Sequence, residues 1–334
     1  MDLPEPKIVL LVTGSGRSGT SSLAGSLKHL GWHVPQPEVP AADRNSKGHF
    51  EPQWVISFHK RALRRVGVGG SDSRPDALEQ VAQIQTDELT TELAAWLDTH
   101  QQDRLVIKDP HAVMFLPTWR SAAQALGRDL RVLTAVRHPA EVIGSRDLAW
   151  GQGRKDAERR VKEISNAASW INVALATEAG TRGLPRALLR YQDLITDWRT
   201  TLGRVSDQLQ LGLDLAVDRP HELDTWLDPG MRRSEVTWDD IVVPERLQSL
   251  AERAWHQLNR LVEDPGDPEA LAELDTVRPD YDELYAEARA LVTDDTVARN
   301  RAREEKVQQL RQRVRRRDAE IERLRDGAPP PGGQ

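Results

Sequence analysis

Val12-Thr13-Gly14-Ser15-Gly16-Arg17-Ser18-Gly19-Thr20-Ser21-Ser22-Leu23 is the stretch whose reading decides the fold. It grows out of an apolar run, Lys7–Thr13 (KIVLLVT), that reads as a buried strand ended by the turn signal Gly14-Ser15-Gly16. Apolar residues at Leu23, Leu27 and Leu30, closed by Gly31, predict a helix over Ser18–Leu30. A strand that passes through a glycine-rich turn into a helix aims successive backbone N–H groups at one point, and the helix N-terminus adds positive potential there. Such a cradle binds phosphate. Against the nucleotide pattern G-x-x-x-x-G-K-[ST], Gly14 and Gly19 keep the spacing, Thr20 stands where lysine belongs, and Ser21 follows. The cation sits inside the loop instead, at Arg17, which suits a leaving group lying across the loop's mouth.

Working outward, the runs Arg104–Lys108, Leu130–Val136 and Arg186–Tyr191 read as further strands. Helical patterns occupy Leu78–Trp96, Pro117–Leu126 and Ala157–Ala179. Short β-rich runs alternating with helices predict an α/β fold, a three-layer parallel sheet opened by a P-loop-like strand–loop–helix and followed by a helical C-terminal region. That region contains an amphipathic Glu245–Glu263, a break at Asp264–Pro268, and helical stretches at Glu269–Leu274 and Asp280–Leu291. The expected organisation is an α/β domain over 1–240, a helical extension packed on it over 241–294, a charged helix over 295–326 and a disordered tail over 327–334.

The chain has 334 residues, 46 Lys and Arg against 52 Asp and Glu, and no Cys. Disulfides, thiolate nucleophiles and cysteine-ligated metal sites are therefore excluded. Asp2 and Glu5 stand where a secretory signal would carry positive charge, and no long apolar run follows, so a cytoplasmic protein without a transmembrane segment is expected. Arg299–Arg325 holds eleven basic and five acidic residues, net +6, which leaves −12 for the rest of a chain at −6. An acidic body argues against nucleic acid as a partner, yet permits a small basic pocket for one anion. In the tail, Val307, Leu310, Val314, Ile321 and Leu324 fill five of six slots spaced alternately by three and four, with Arg317 in the remaining one. That stripe suits either a short coiled coil forming a homo-dimer or a solvated charged helix.

Gly16-Arg17-Ser18-Gly19-Thr20-Ser21-Ser22-Leu23 resembles the 5′-phosphosulfate loop of the sulfotransferases that use 3′-phosphoadenosine-5′-phosphosulfate (PAPS), [P/G]-[K/R]-S-G-T-[ST]-x-L between a strand and a helix. After the strand Leu130–Val136, Arg137-His138-Pro139-Ala140-Glu141 and Ser145 resemble the family's 3′-phosphate site, an Arg at a strand end with a Ser eight residues later. A planar guanidinium fork suits a phosphate, and Pro139 suits a first helical turn that carries Ser145 two turns along. A pairing of Arg137 with Glu141 is the plainer reading. Arg190-Tyr191-Gln192-Asp193-Leu194 resembles the segment whose Tyr lies beside adenine, and Arg232 and Arg233 resemble, more loosely, a basic loop over the 3′-phosphate. The resemblance spans about 7–197, at most to 233. It implies PAPS as co-substrate, a small-molecule or glycan acceptor and no metal.

It also implies roles. Arg17 stabilises the leaving phosphate and Lys108 stands near the transferring group. Glu51, in Asn45-Ser46-Lys47-Gly48-His49-Phe50-Glu51, or His111, in Lys108-Asp109-Pro110-His111, takes the acceptor proton. Glu51 is preferred, with His111 next and His49 third. An imidazole has the more suitable intrinsic pKa, while a Glu needs burial. A P-loop kinase or NTPase is the first alternative, with Asp109 as its one contender for Mg²⁺. An inactive nucleotide-binding module with a working coiled-coil tail is the second. The acceptor has no code in the sequence; its walls are expected from 34–50, 66–76 and 148–156, with Trp54, Trp150 and Trp170 as candidates to stack on a ring.

Overall fold

The computed structural model of the chain describes residues 6–42, 45–151, 153, 155–228, 230 and 235–325. Four strands, β1 Ile8–Thr13, β2 Arg104–Lys108, β3 Asp129–Val136 and β4 Arg186–Arg190, form one sheet in the order β2-β1-β3-β4. All its pairings are parallel, with Leu10 opposite Val106 on one side and Arg131 on the other. Parallel neighbours require crossovers, and helices supply them. From β1 to β2 run α1 Thr20–His29, α2 Gln53–Val66, α3 Ala77–Ala82 and α4 Asp87–Asp98; α5 Leu116–Ala125 leads to β3. α6 Pro139–Trp150 and α7 Asp156–Thr181 lead to β4. After it come α8 Tyr191–Thr196, α9 Trp198–Leu209, α10 Leu223–Trp226, α11 Glu245–Glu263, α12 Pro268–Leu291 and α13 Thr293–Arg325.

Why β1 is apolar throughout follows from its place. Ile8, Leu10 and Val12 pack with Leu23 and Leu27 of α1 and Leu202 and Val205 of α9. Val9 and Leu11 pack on the opposite face with Phe58 of α2, Leu93 and Leu97 of α4 and Trp119 of α5. A central strand covered on both sides has no solvent face, so it reads as a continuous run instead of alternating. This is the three-layer α/β arrangement expected from the sequence.

Two compact units are present: one runs to Tyr281 and the second begins at Asp282. Within the first, α11 packs against α7 and β4. The Tyr281 hydroxyl lies 2.6 Å from the Ser73 carbonyl oxygen and 3.0 Å from that of Ala168, which fixes the last residue of that unit in place. In the second unit, α13 is one continuous helix of 33 residues. Among the described residues, no helix is long and apolar enough to cross a membrane.

Several boundaries differ from the sequence reading, each for a local reason. The single helix expected over Leu78–Trp96 is two, because Thr86 takes extended backbone and its side chain accepts from the Leu89 N–H, starting a new helix. The break expected between Leu274 and Asp280 does not occur: α12 runs through Pro279, with buried Val277 and Tyr281 holding both sides of the missing hydrogen bond. β4 stops at Arg190, and Tyr191 opens α8 instead of ending the strand. α2 and α9 were not foreseen. The expected tail at 327–334 lies outside the described residues.

Candidate functional site

Every strand of the sheet places a candidate site residue at its carboxyl end, where ligands bind in open α/β sheets. β1 runs into the Gly14–Gly19 loop, β2 ends on Lys108, β3 is followed by Arg137, and β4 by Tyr191. The loop's conformation depends on two glycines. Gly14 has φ +128° and lies so close to β3 that a Cβ would come within 2.4 Å of the Ala135 carbonyl oxygen. Gly19 has φ +88°, and a Cβ there would sit 2.1 Å from the Tyr191 ring. Arg17 also takes a left-handed φ of +78°, an arrangement that costs an L-residue roughly 1–2 kcal/mol. The Ser18 N–H donates to the Ser15 carbonyl at 3.0 Å, closing the turn. Gly19 is the N-cap of α1 and supplies no side-chain acceptor to the first N–H groups of the helix.

Around this loop the residues of the Arg137 to Ser145 stretch assemble. Arg17 Nε donates to Ser145 Oγ at 3.0 Å, and an Arg137 Nη1 donates to the Arg17 carbonyl at 3.3 Å. The Arg137 guanidinium lies over the Tyr191 ring, 5.1 Å from its centroid. Arg17, Arg137, Ser145 and Tyr191, which are spread over 175 positions of sequence, therefore form one cluster. The Arg137 to Glu141 pairing, the plainer reading of that motif, is also present at 2.8 Å. Arg146 was missed by sequence reasoning. Its Nη2 donates to Ser15 Oγ and its Nη1 to Asn166 Oδ1, both at 3.1 Å. Burial, and then the charge of Arg17, pushes its pKa down to about 10. A second guanidinium next to Arg17 was visible only as the residue after Ser145, with nothing to mark it.

A second cluster joins the loop to β2. Lys108 Nζ pairs with Glu51 and donates to Ser21 Oγ at 3.3 Å. The turn Asn45–Glu51 is built to place that carboxylate. Asn45 Nδ2 donates to the Gly48 carbonyl at 2.6 Å and lies 3.3 Å from Ser21 Oγ; Phe50 takes φ +53° and buries its ring edge-on to Trp226. His49, between them, has its pKa lowered by burial first, and further by Lys108 and Arg17, against the opposing charge of Glu51.

The third cluster fixes proton positions by elimination. Trp119 Nε1 can only donate, and it meets His59 Nε2 at 3.1 Å. His59 must then carry its proton on Nδ1, which donates to Asp109 Oδ2 at 2.6 Å. The other Asp109 oxygen accepts from His111 Nδ1, also at 2.6 Å, and from the His111 backbone N–H. Neutral His111 consequently presents Nε2 as a proton acceptor. That atom lies against Gly70, where a Cβ would come within 2.0 Å of it. Burial favours protonation of Asp109, but its hydrogen bonds from the two histidines hold the carboxyl well below the usual range. Full burial keeps His59 below the ordinary imidazole value. Burial also pulls His111 down, yet the hydrogen bond and charge of Asp109 outweigh it and raise the pKa.

Of the sequence candidates, Gly16, Arg17, Ser18, Gly19, Thr20, Ser21, Arg137, Ser145 and Tyr191 meet at the loop, and Lys108, Glu51 and His111 lie at the end of β2. Arg232 and Arg233 lie outside the described residues, as does the side chain of Trp150. Two tryptophans thought free to stack on an acceptor are structural. Trp54 stacks between Phe58 and Trp96, at 5.0 Å and 4.7 Å between ring centroids, and Trp170 is buried in α7. Among the described residues, no group of His, Asp and Glu is arranged to hold a metal ion. Asp109, the contender for Mg²⁺, has both oxygens committed to histidines.

No protein-family profile and no curated protein matches the chain. Solved structures similar to it include two sulfotransferase domains. One is the sulfotransferase domain from the Synechococcus PCC 7002 olefin synthase, at 18% identity and a TM-score of 0.44 over 78% of this chain and 97% of that one. The other is the sulfotransferase domain from the curacin biosynthetic pathway, at 18% identity and a TM-score of 0.39 over 76% and 98%.

Proposed function

We propose that the protein is a sulfotransferase that moves a sulfuryl group from PAPS to a hydroxyl of a carbohydrate, glycolipid or other small-molecule acceptor. The observation that carries this reading is the convergence of Arg17, Arg137 and Ser145 on one loop, through the contacts of 3.0 Å and 3.3 Å, beside a helix N-terminus whose N-cap is Gly19. Two arginine-bearing anion sites in contact suit a donor with phosphate at both its 5′ and 3′ positions better than a linear triphosphate. The resemblance of both motifs to the family points the same way. A kinase would need a carboxylate for its metal, and Asp109 is engaged by His59 and His111.

In the reaction, the acceptor oxygen bonds to sulfur while the bond from sulfur to the 5′-phosphate oxygen breaks. Adenosine 3′,5′-bisphosphate leaves with the electron pair. Arg17 and Lys108 stabilise the charge that develops on it. The acceptor proton goes to His111 Nε2. Sequence preference was for Glu51, but Glu51 is paired with Lys108, and its role here is to hold that ammonium beside Ser21. His111, by contrast, has its tautomer set by Asp109, so Nε2 is the ring nitrogen left able to take a proton.

Calorimetric titration separates the readings. Adenosine 3′,5′-bisphosphate is expected to bind, and to bind more tightly than ATP with Mg²⁺; preference for ATP would overturn the proposal. Transfer of label from radiolabelled PAPS to fractions of small molecules and glycans then identifies the acceptor.

A further inference from the structure

Helix α13 carries an apolar stripe that the reaction does not use. Val307, Leu310, Val314 and Ile321 are between 39% and 56% exposed on a helix that is otherwise charged. Their spacing assigns Val307, Val314 and Ile321 to the a positions of a heptad, and Leu310, Arg317 and Leu324 to the d positions. The flanking positions then decide how a second copy would lie against it.

In a parallel, in-register pair, Arg317 would meet the partner's Arg317 inside the seam, and Lys306 would face the partner's Arg311. Reversing one helix about a point between Arg315 and Arg316 removes both repulsions. Val307 then packs against the partner's Leu324, Leu310 against the partner's Ile321, and Val314 against the stem of the partner's Arg317. Along the edges Arg313 meets the partner's Glu320, Arg311 the partner's Asp318, and Glu304 the partner's Arg325. Two-fold symmetry doubles each contact, giving four apolar layers, two mixed layers and six pairs of opposite charge over 22 residues, roughly 33 Å of helix. A surface-exposed charged helix has no need of this arrangement, whereas an antiparallel seam accounts for every a, d, e and g residue in the overlap except Lys306.

We infer that α13 is an antiparallel dimerisation helix whose occupant is the same helix of a second copy of this chain. The absence of cysteine makes the test clean. Sedimentation equilibrium of the full chain is expected to give twice 37.5 kDa at micromolar concentration, and Leu310→Asp is expected to return it to monomer with its thermal midpoint unchanged. L310C and I321C, mixed and exposed to an oxidant, are expected to form a mixed disulfide, while neither variant crosslinks alone. Crosslinking of each variant with itself would show a parallel pair and overturn the orientation. A monomer at every concentration, including one that binds nucleic acid or anionic vesicles through the basic helix, would overturn the proposal as a whole.

Discussion

A single buried indole sets the chemistry of a residue three hydrogen bonds away. Because Trp119 donates to His59, His59 must donate to position 109, so an Asn there would turn its carbonyl toward His59. Its amide would then donate to His111 Nδ1, forcing the other ring nitrogen to carry the proton and removing the acceptor. Asp109→Asn is therefore expected to lower kcat by about 10²- to 10⁴-fold while leaving affinity for adenosine 3′,5′-bisphosphate in place. The pH profile carries the sign. A base must be neutral to work, so activity rises with pH through an inflection that Asp109 places above the ordinary imidazole value. The carboxylate stabilises the imidazolium, so its removal shifts the inflection of the residual activity to lower pH. An unchanged kcat and an unmoved inflection would remove His111 from the role. Arg17 offers a different test. Arg17→Gly relieves a left-handed backbone worth roughly 1–2 kcal/mol but adds chain entropy of a comparable size, so the thermal midpoint should stay nearly constant. Losing a charge-assisted hydrogen bond of about 1.5–3 kcal/mol should weaken the bisphosphate by roughly 10- to 100-fold. A large fall in midpoint without a loss of affinity would make Arg17 structural.

At the scale of elements, the loop Val66–Asp76 is tied to the base through one glycine. Gly70→Ala drives a methyl into His111 Nε2, and the ring cannot retreat because Asp109 holds its other nitrogen. A methyl 2.0 Å from a held ring forces the loop or the ring to shift, so the thermal midpoint should fall, and displacing a base by about 1 Å costs on the order of 10²-fold in kcat. Normal turnover in the Ala variant would show that the acceptor does not approach there. Legibility in the sequence followed the same lines. β1 to β4 could be read because strands buried on both faces leave unbroken apolar runs, and the Gly14–Gly19 loop because its glycines are spaced by backbone necessity. α2 was legible too: its buried Val55, Phe58, Ala62 and Leu63 recur at helical spacing, with Lys60, Arg61, Arg64 and Arg65 on the other face. His59 and Trp119 were silent: their importance lies in a contact between helices 60 positions apart, which no local pattern encodes. The Arg137 to Glu141 pair and the Arg137 to Arg17 contact coexist, so two readings that looked exclusive in the sequence describe different edges of one guanidinium.

The whole molecule divides its charge and its work together. An acidic body keeps its few converging cations at the loop, while the basic excess is gathered in Arg299–Arg325. Each residue placed at the site precedes Tyr281, where the first compact unit ends, and the heptad stripe lies wholly in the second. Chain ended after Leu291 keeps Tyr281 and its contacts to Ser73 and Ala168, so the sheet and its loop should fold as before. Affinity for adenosine 3′,5′-bisphosphate should then stay within about twofold of the full chain, roughly 0.4 kcal/mol, measured by calorimetry, while sedimentation reports a monomer. A tenfold loss of affinity, about 1.4 kcal/mol, would mean that the tail or the assembly it forms completes the anion site, and the separation of binding from association would be wrong.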